Sequence, residues 1–387
     1  MIYLDNASTT RTHPEAAAAA MVAMTEDFAN PSSTHSLGRR AAGIITTART
    51  AIAKTLGASP AEITFTSGGT EADNWALIGG AQTLRRMGNH IILSQTEHSA
   101  VLNAAKHLQT QGFDVTFLAP DAGGRVTMES FTDALRDDTI IASVMLVNNE
   151  TGAINPVSEL ARALHTRNSK ALFHTDAVQA YGKIPVSAKA LGADLISISA
   201  HKIYGVKGVG ALYVRSGLRL TPMFYGGSQE YGRRAGTEPL PAIAAFGEAA
   251  RTAALELDVN FRHATALREI AVSELRNRIK FLHFIGEPDL SAGGVSPYIL
   301  SIALPGYHSE VLMTALEAHE IYLSRSSACK KGARSHVLEA MGLPAEIMDG
   351  ALRISFARDT TEQEIRTFAA ALEEISNTIF TRKPRIR

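Results

Sequence analysis

Short β-branched runs alternate with longer stretches of helical apolar spacing through roughly the first 215 residues of the chain. Candidate strands fall at 63–66, 91–93, 139–147, 171–174, 195–199 and 210–214, and helical stretches such as 71–87 lie between them. This alternation predicts an α/β fold with a mostly parallel sheet covered by helices. After about residue 249 the pattern changes. A long Ala/Leu/Glu/Arg-rich helix leads to the strand-like "SPYILSIAL", then to a polar loop and a final helix. That last helix opens on a capping box, Thr361 with Glu364, and places Ile365, Phe368, Leu372, Ile375 and Ile379 at helical spacing. The expected organisation is a large domain over 14–256 and a smaller α+β domain built from 1–13 and 257–387. The alanine run 16–20 reads as helix, and no internal repeat or disordered linker interrupts the chain.

Composition narrows the partners. With 45% hydrophobic and 20% charged residues over 387 positions, the chain is long enough for one large domain and a smaller one. Its 38 basic residues balance 38 acidic ones, and the only basic run is the terminal "RKPRIR", so nucleic acid as the main partner has no electrostatic support. The N-terminus enters a strand-like pattern at once, without a basic region followed by an apolar one. No stretch approaches ~20 uninterrupted apolar residues. A cytoplasmic protein without a membrane partner is expected. One cysteine rules out an intrachain disulfide framework and any Cys-rich metal site within one chain, and no metal is expected.

In open α/β sheets, ligands bind beyond the carboxyl ends of the strands, so the residues after each predicted strand carry the candidate chemistry. After 63–66 comes "SGGTEADN", small residues opening into a helix, where free N–H groups suit a phosphate at Gly69 and Thr70. A plain strand-to-helix turn is the alternative. After 171–174 come Asp176 and Gln179, and after 195–199 come His201 and Lys202. An acid and a lysine at strand ends of one sheet are what pyridoxal phosphate requires, the carboxylate for its ring nitrogen and the amine for its aldehyde. Singly, Asp176 serves as well for a helix N-cap and Lys202 for a solvated charge. His98, beyond 91–93, is placed to stack on such a ring and relay protons, or is an ordinary hydrogen-bonded histidine. Asn149, in "NNETG", suits the ring oxygen or the substrate, or belongs to turn chemistry.

The lone cysteine, Cys329, sits in "SRSSACKKGARSH", a polar basic stretch without apolar period that reads as an exposed loop. Neighbouring cations favour the thiolate, which is the nucleophilic form. The alternative is a small buried hydrophobe.

Taken in order, "YLDNASTT", "NPSSTH", "FTSGGTEADN", "TEHSAV", "VNNETG", "HTDAVQA", "SAHKIYGVKGVGALYVR", "GRRAGTEP", "SSAC" and "LRISFARDTTEQE" span essentially the whole chain. Together they resemble the NifS/IscS-type cysteine desulfurases, in the class V aminotransferase branch of fold-type I pyridoxal-phosphate enzymes. The resemblance implies a phosphate site of Gly69, Thr70, Ser199 and His201, with Thr237 reaching in from the partner subunit of a homodimer. It further implies ring contacts from His98, Asn149, Asp176 and Gln179, a covalent attachment at Lys202, a substrate-carboxylate contact at Arg353, and Cys329 as sulfur acceptor. The implied activity turns L-cysteine into L-alanine and leaves a persulfide for an acceptor protein of iron–sulfur assembly or tRNA thiolation. The chain departs from the family at Arg325 and Ser326, where serine and glycine are usual. Other readings are a different class V enzyme, such as an aminotransferase or selenocysteine lyase, and a cofactor-free scaffold.

Overall fold

A computed structural model describes residues 1–325 and 334–378, so Cys329 and Ile379 lie outside the described residues. Thirteen strands, numbered along the chain, form three sheets among the described residues. The largest contains β2 (Ile63–Thr66), β3 (His90–Ser94), β4 (Asp114–Leu118), β5 (Thr139–Ser143), β6 (Leu172–Asp176), β7 (Leu195–Ser199) and β8 (Gly210–Val214) in the order β2-β8-β7-β6-β5-β3-β4. β8 runs antiparallel to both its neighbours and the other pairs are parallel. Alternate residues of one strand enter different cores: Ile92 and Phe173 face one, while Ile91, Leu93 and Leu172 face the other. A sheet buried on both faces needs apolar residues on both, which is why these strands read as short continuous runs.

The structure adjusts three expectations. The strand foreseen over 139–147 ends at Ser143, although Val144 and Leu146 still donate their N–H groups to the carbonyls of His174 and Asp176 along β6. The strand foreseen over 171–174 runs on to Asp176, so that carboxylate is the last residue of β6 rather than part of the following turn. β4 went unforeseen because it is an edge strand whose first four residues are exposed or half-buried, which leaves no clean apolar signal.

A second sheet, β12 (Ser324–Arg325), β13 (Ala351–Ser355), β10 (Ile299–Ala303) and β9 (His283–Ile285), is antiparallel throughout. The final helix, Glu362–Thr378, lays Ile365, Phe368, Leu372 and Ile375 against it, and the Thr361–Glu364 capping box is formed. A parallel pair, β1 (Ile2–Tyr3) with β11 (Ile321–Tyr322), ties the start of the chain to this layer. The helix Leu240–Arg278 spans 39 residues and runs straight through position 256. Its first half, including Phe246 and Ala250, enters the large-sheet core, and its second half, including Leu267 and Leu275, enters the core of the antiparallel sheet. Among the described residues no helix is long and apolar enough to cross a membrane.

One buried ion pair pins the irregular segment before that helix. Both terminal nitrogens of Arg49 donate to Glu230 at 2.7 Å, and Glu230 also accepts the N–H of Phe65 in β2 at 2.9 Å. Glu230 and Tyr231 adopt φ of 49° and 59°, a left-handed conformation that costs free energy and is held here by that clamp. Glu230→Ala would strand a guanidinium whose side chain is 7% exposed. We expect a loss of about 3 kcal/mol or more in equilibrium urea unfolding. Asp289→Ala, which breaks a half-exposed pair with Arg276, should cost less than about 1 kcal/mol in the same measurement.

Candidate functional site

The parallel strands β3, β5, β6 and β7 end at one edge of the large sheet, and a cleft of about 390 Å³ opens there. Its floor is laid by the N-terminal segment. Thr10 donates its N–H and its hydroxyl to the His201 carbonyl, both at 3.0 Å, and accepts the N–H of Tyr204 at 2.8 Å. On its other side this segment reaches the antiparallel sheet, where Asp5 bridges Ser355 and the N–H of Ala7 donates to the Ser355 hydroxyl at 2.8 Å. The carbonyls of Ala7 and Ser8 therefore point at the turn after β7, and the Lys202 amine donates to them at 2.6 and 2.7 Å. Burial, then the nearby Arg353 guanidinium, pulls this amine down to about 8.

Arg353 comes from the middle of β13. It donates to the Asn149 carbonyl at 2.9 Å, to Asp5 at 2.8 Å and to the Ser8 hydroxyl at 2.7 Å, while its Nε is buried without a partner among the described residues. At the other wall, β2 turns directly into the helical run that starts at Gly69–Asn74. The first helical bond there is from Ala72 N–H to the Gly68 carbonyl, so the N–H groups of Gly69 and Thr70 are not used by the helix. The turn is pressed flat: a Cβ at Gly69 would lie 2.9 Å from Val178, and one at Gly210 would lie 2.8 Å from the Cα of Gly68. Thr70 and Ser199 bring hydroxyls to this wall, and His201, bonded to Thr9 at 3.2 Å, closes it.

Asp176 is buried, with one carboxylate oxygen accepting the Val178 N–H at 2.8 Å. Burial raises its pKa. His98 caps the helix Ser99–Thr110, its Nδ1 accepting the Ala100 N–H at 3.2 Å, which leaves the proton of the neutral ring on Nε2. Burial depresses His98 and takes His201 down to about 4, so both rings are neutral at pH 7.

Ten of the residues singled out from sequence line this one cleft: Gly69, Thr70, His98, Asn149, Asp176, Gln179, Ser199, His201, Lys202 and Arg353. Thr237 is exposed and outside the cleft of its own chain, and Cys329 lies outside the described residues. Arg325, the departure noted above, bonds Glu310 at 2.8 Å and is drawn back onto the helix Ser309–Ala318.

Several lining residues escaped the sequence reading. Asp73 is nearly fully buried, one turn into the helix that opens at Gly69, where an acid in helical spacing gives no signal of facing inward. Glu150 accepts the Ser335 hydroxyl and is pushed by burial to about 7, and only its place beside Asn149 could have marked it. His336 bonds the Glu97 carbonyl at 2.9 Å and arrives from far along the chain. The Ala7 and Ser8 carbonyls are main-chain groups, which residue type cannot reveal.

A family model described as aminotransferase class-V matches residues 2–368. A protein named cysteine desulfurase IscS from Methanosarcina thermophila is 40% identical over 376 residues, covering 97% of this chain and 91% of its own. Among solved structures, a NifS-like protein superposes with a TM-score of 0.92 at 37% identity, covering 98% of this chain and 100% of that one. Another, titled SspA in complex with cysteine, gives a TM-score of 0.80 at 31% identity over 92% of this chain and 99% of its own. With its cleft assembled at the strand ends and its length matched almost end to end, the chain belongs to the class-V aminotransferase family, among the cysteine desulfurases.

Proposed function

We propose that the protein is a pyridoxal-phosphate-dependent cysteine desulfurase that converts L-cysteine to L-alanine and lodges the sulfur on Cys329. The observation that carries this reading is the buried Lys202 amine, depressed to about 8, in one cleft with buried Asp176 and an open helix start. The donor set fits the cofactor. Gly69, Thr70, Ser199 and His201 offer N–H and hydroxyl groups for its phosphate, and Thr237, exposed on its own chain, is suited to complete that site in the partner of a homodimer. When bound, pyridoxal phosphate supplies an aldehyde for the amine and an electron-accepting ring.

Each side chain then has a task. Asp176 presents its free carboxylate oxygen to the ring nitrogen, its other oxygen being held by Val178. Asn149 and Gln179 serve the ring oxygen. Arg353 receives the substrate carboxylate, with its buried Nε still lacking a partner among the described residues. Lys202 Nζ, in its neutral form, takes the proton from the substrate α-carbon, and His98 holds a proton at Nε2 for transfer. Overall, the carbon–sulfur bond of cysteine breaks and a sulfur–sulfur bond to Cys329 forms. One hydrogen moves from sulfur to the β-carbon, so alanine leaves and a persulfide remains. A protein of iron–sulfur cluster assembly or tRNA thiolation is the acceptor, and the cytoplasm is the site of action. The two cores joined by the helix Leu240–Arg278 support a two-domain division, 14–256 against 1–13 with 257–387.

The direct test incubates the purified holoenzyme with L-cysteine and follows alanine and protein-bound persulfide together. Equal yields of the two in a single turnover are expected, whereas keto acid formation would favour an aminotransferase. Lys202→Ala should abolish alanine release while circular dichroism stays unchanged. Cys329→Ser should retain the visible absorption of bound cofactor and its response to cysteine but form no persulfide, because a hydroxyl is a far weaker nucleophile than a thiolate.

The depressed Lys202 amine predicts a pH profile for loading the apoprotein. Below about 8 the amine is mostly protonated and cannot attack an aldehyde. The rate of pyridoxal-phosphate uptake should therefore rise about tenfold per pH unit up to that point and level off above it. A profile still rising steeply at pH 10, as for a solvated lysine, would contradict the geometry.

A further inference from the structure

Lys183 is one of the least accessible cations in the described structure, 6% exposed, and no role in the cleft has been given to it. It follows Gln179 by one turn, and its amine donates to Gln179 Oε1 at 3.1 Å. Its other neighbour is the Tyr298 ring, 5.9 Å from the amine, and no carboxylate pairs with it among the described residues. An ammonium buried without a carboxylate is costly, and an apolar side chain of the same length would fill the space more cheaply. The amine must therefore be explained by what it bonds.

Burial, then Lys202 and Arg353, pulls the Lys183 amine down to about 7; in its charged form it only donates, so the amide oxygen of Gln179 has to face it. The amide nitrogen then points the other way, and it donates to the Ala7 carbonyl at 2.8 Å, the same oxygen that accepts from Lys202 at 2.6 Å. We infer that Lys183 is a positioning residue that locks the Gln179 carboxamide in one orientation, with its N–H donors toward the cleft and its oxygen turned away. Without the lock only the Ala7 carbonyl opposes a flip, and a flipped oxygen would repel the oxygen of a bound pyridine ring. The inference rests on the proposed cofactor and deepens that reading.

The test titrates apoprotein with pyridoxal phosphate, reading the dissociation constant and the position of the visible absorption band. Wild type, Lys183→Met, Gln179→Ala and the double variant are compared. Lys183→Met should weaken binding about tenfold. In the Gln179→Ala background it should add less than about twofold, since the lock then has nothing to hold. Gln179→Glu provides a second arm: its carboxylate keeps a partner in Lys183 and supports folding but offers no N–H donor, so it should bind as weakly as Gln179→Ala. Wild-type affinity in Lys183→Met or Gln179→Glu, or losses that multiply in the double variant, would overturn the inference while leaving the cofactor assignment standing. A wild-type apoprotein that takes up no pyridoxal phosphate would overturn both.

Discussion

Main-chain carbonyls hold the Lys202 amine, and much of the cleft depends on that choice. Ala7 and Ser8 offer partial negative charge that stabilises a donor without offsetting a full positive charge in a buried place. Burial and then the Arg353 field outweigh them and leave the amine far easier to deprotonate than a solvated lysine. The same two residues are anchored on the antiparallel sheet through Ser355 and on the turn after β7 through Thr10 and His201. The N-terminal segment is thus a strap between the two sheets, and the distance from Lys202 to Arg353 is set by how it lies. A domain-like division by sequence range understates this, because a single strap of seven or eight residues belongs to both sides.

Beneath the cleft the polar groups are crowded and expensive. Asp73 and Glu97 each bury a carboxylate oxygen without a hydrogen-bond partner among the described residues, and burial raises both, with Asp176 adding to the repulsion. His174 on β6 lies 3.6 Å from Asp73, bonded to Ser143 at 2.8 Å and to Ser197 at 3.0 Å, and burial takes it down to about 3. A neutral imidazole cannot balance these acids, so protons have to. Such an arrangement lowers stability and keeps Asp176 in a medium of low polarity, where its charge acts strongly on whatever faces it. The rest of the fold offsets that cost with sheet faces covered on both sides and with a long helix shared by two cores.

The chain by itself determined the alternation of strands and helices, the doubly covered sheet and most of the residues in the cleft. These were legible because backbone periodicity and the residue after a strand are local properties: Asp176, His201 and Lys202 stand at strand ends whichever way the sheet is ordered. Edge strand β4 was not legible, since half-exposed residues carry no period. Tertiary structure alone decided that Ala7 and Ser8 face Lys202, that Glu150 meets Ser335, and that Lys183 turns inward onto Gln179. Each of these joins groups far apart along the chain, or depends on which face of a turn is covered. Residue type and spacing say nothing of either until the strap, the sheet and the helices have packed.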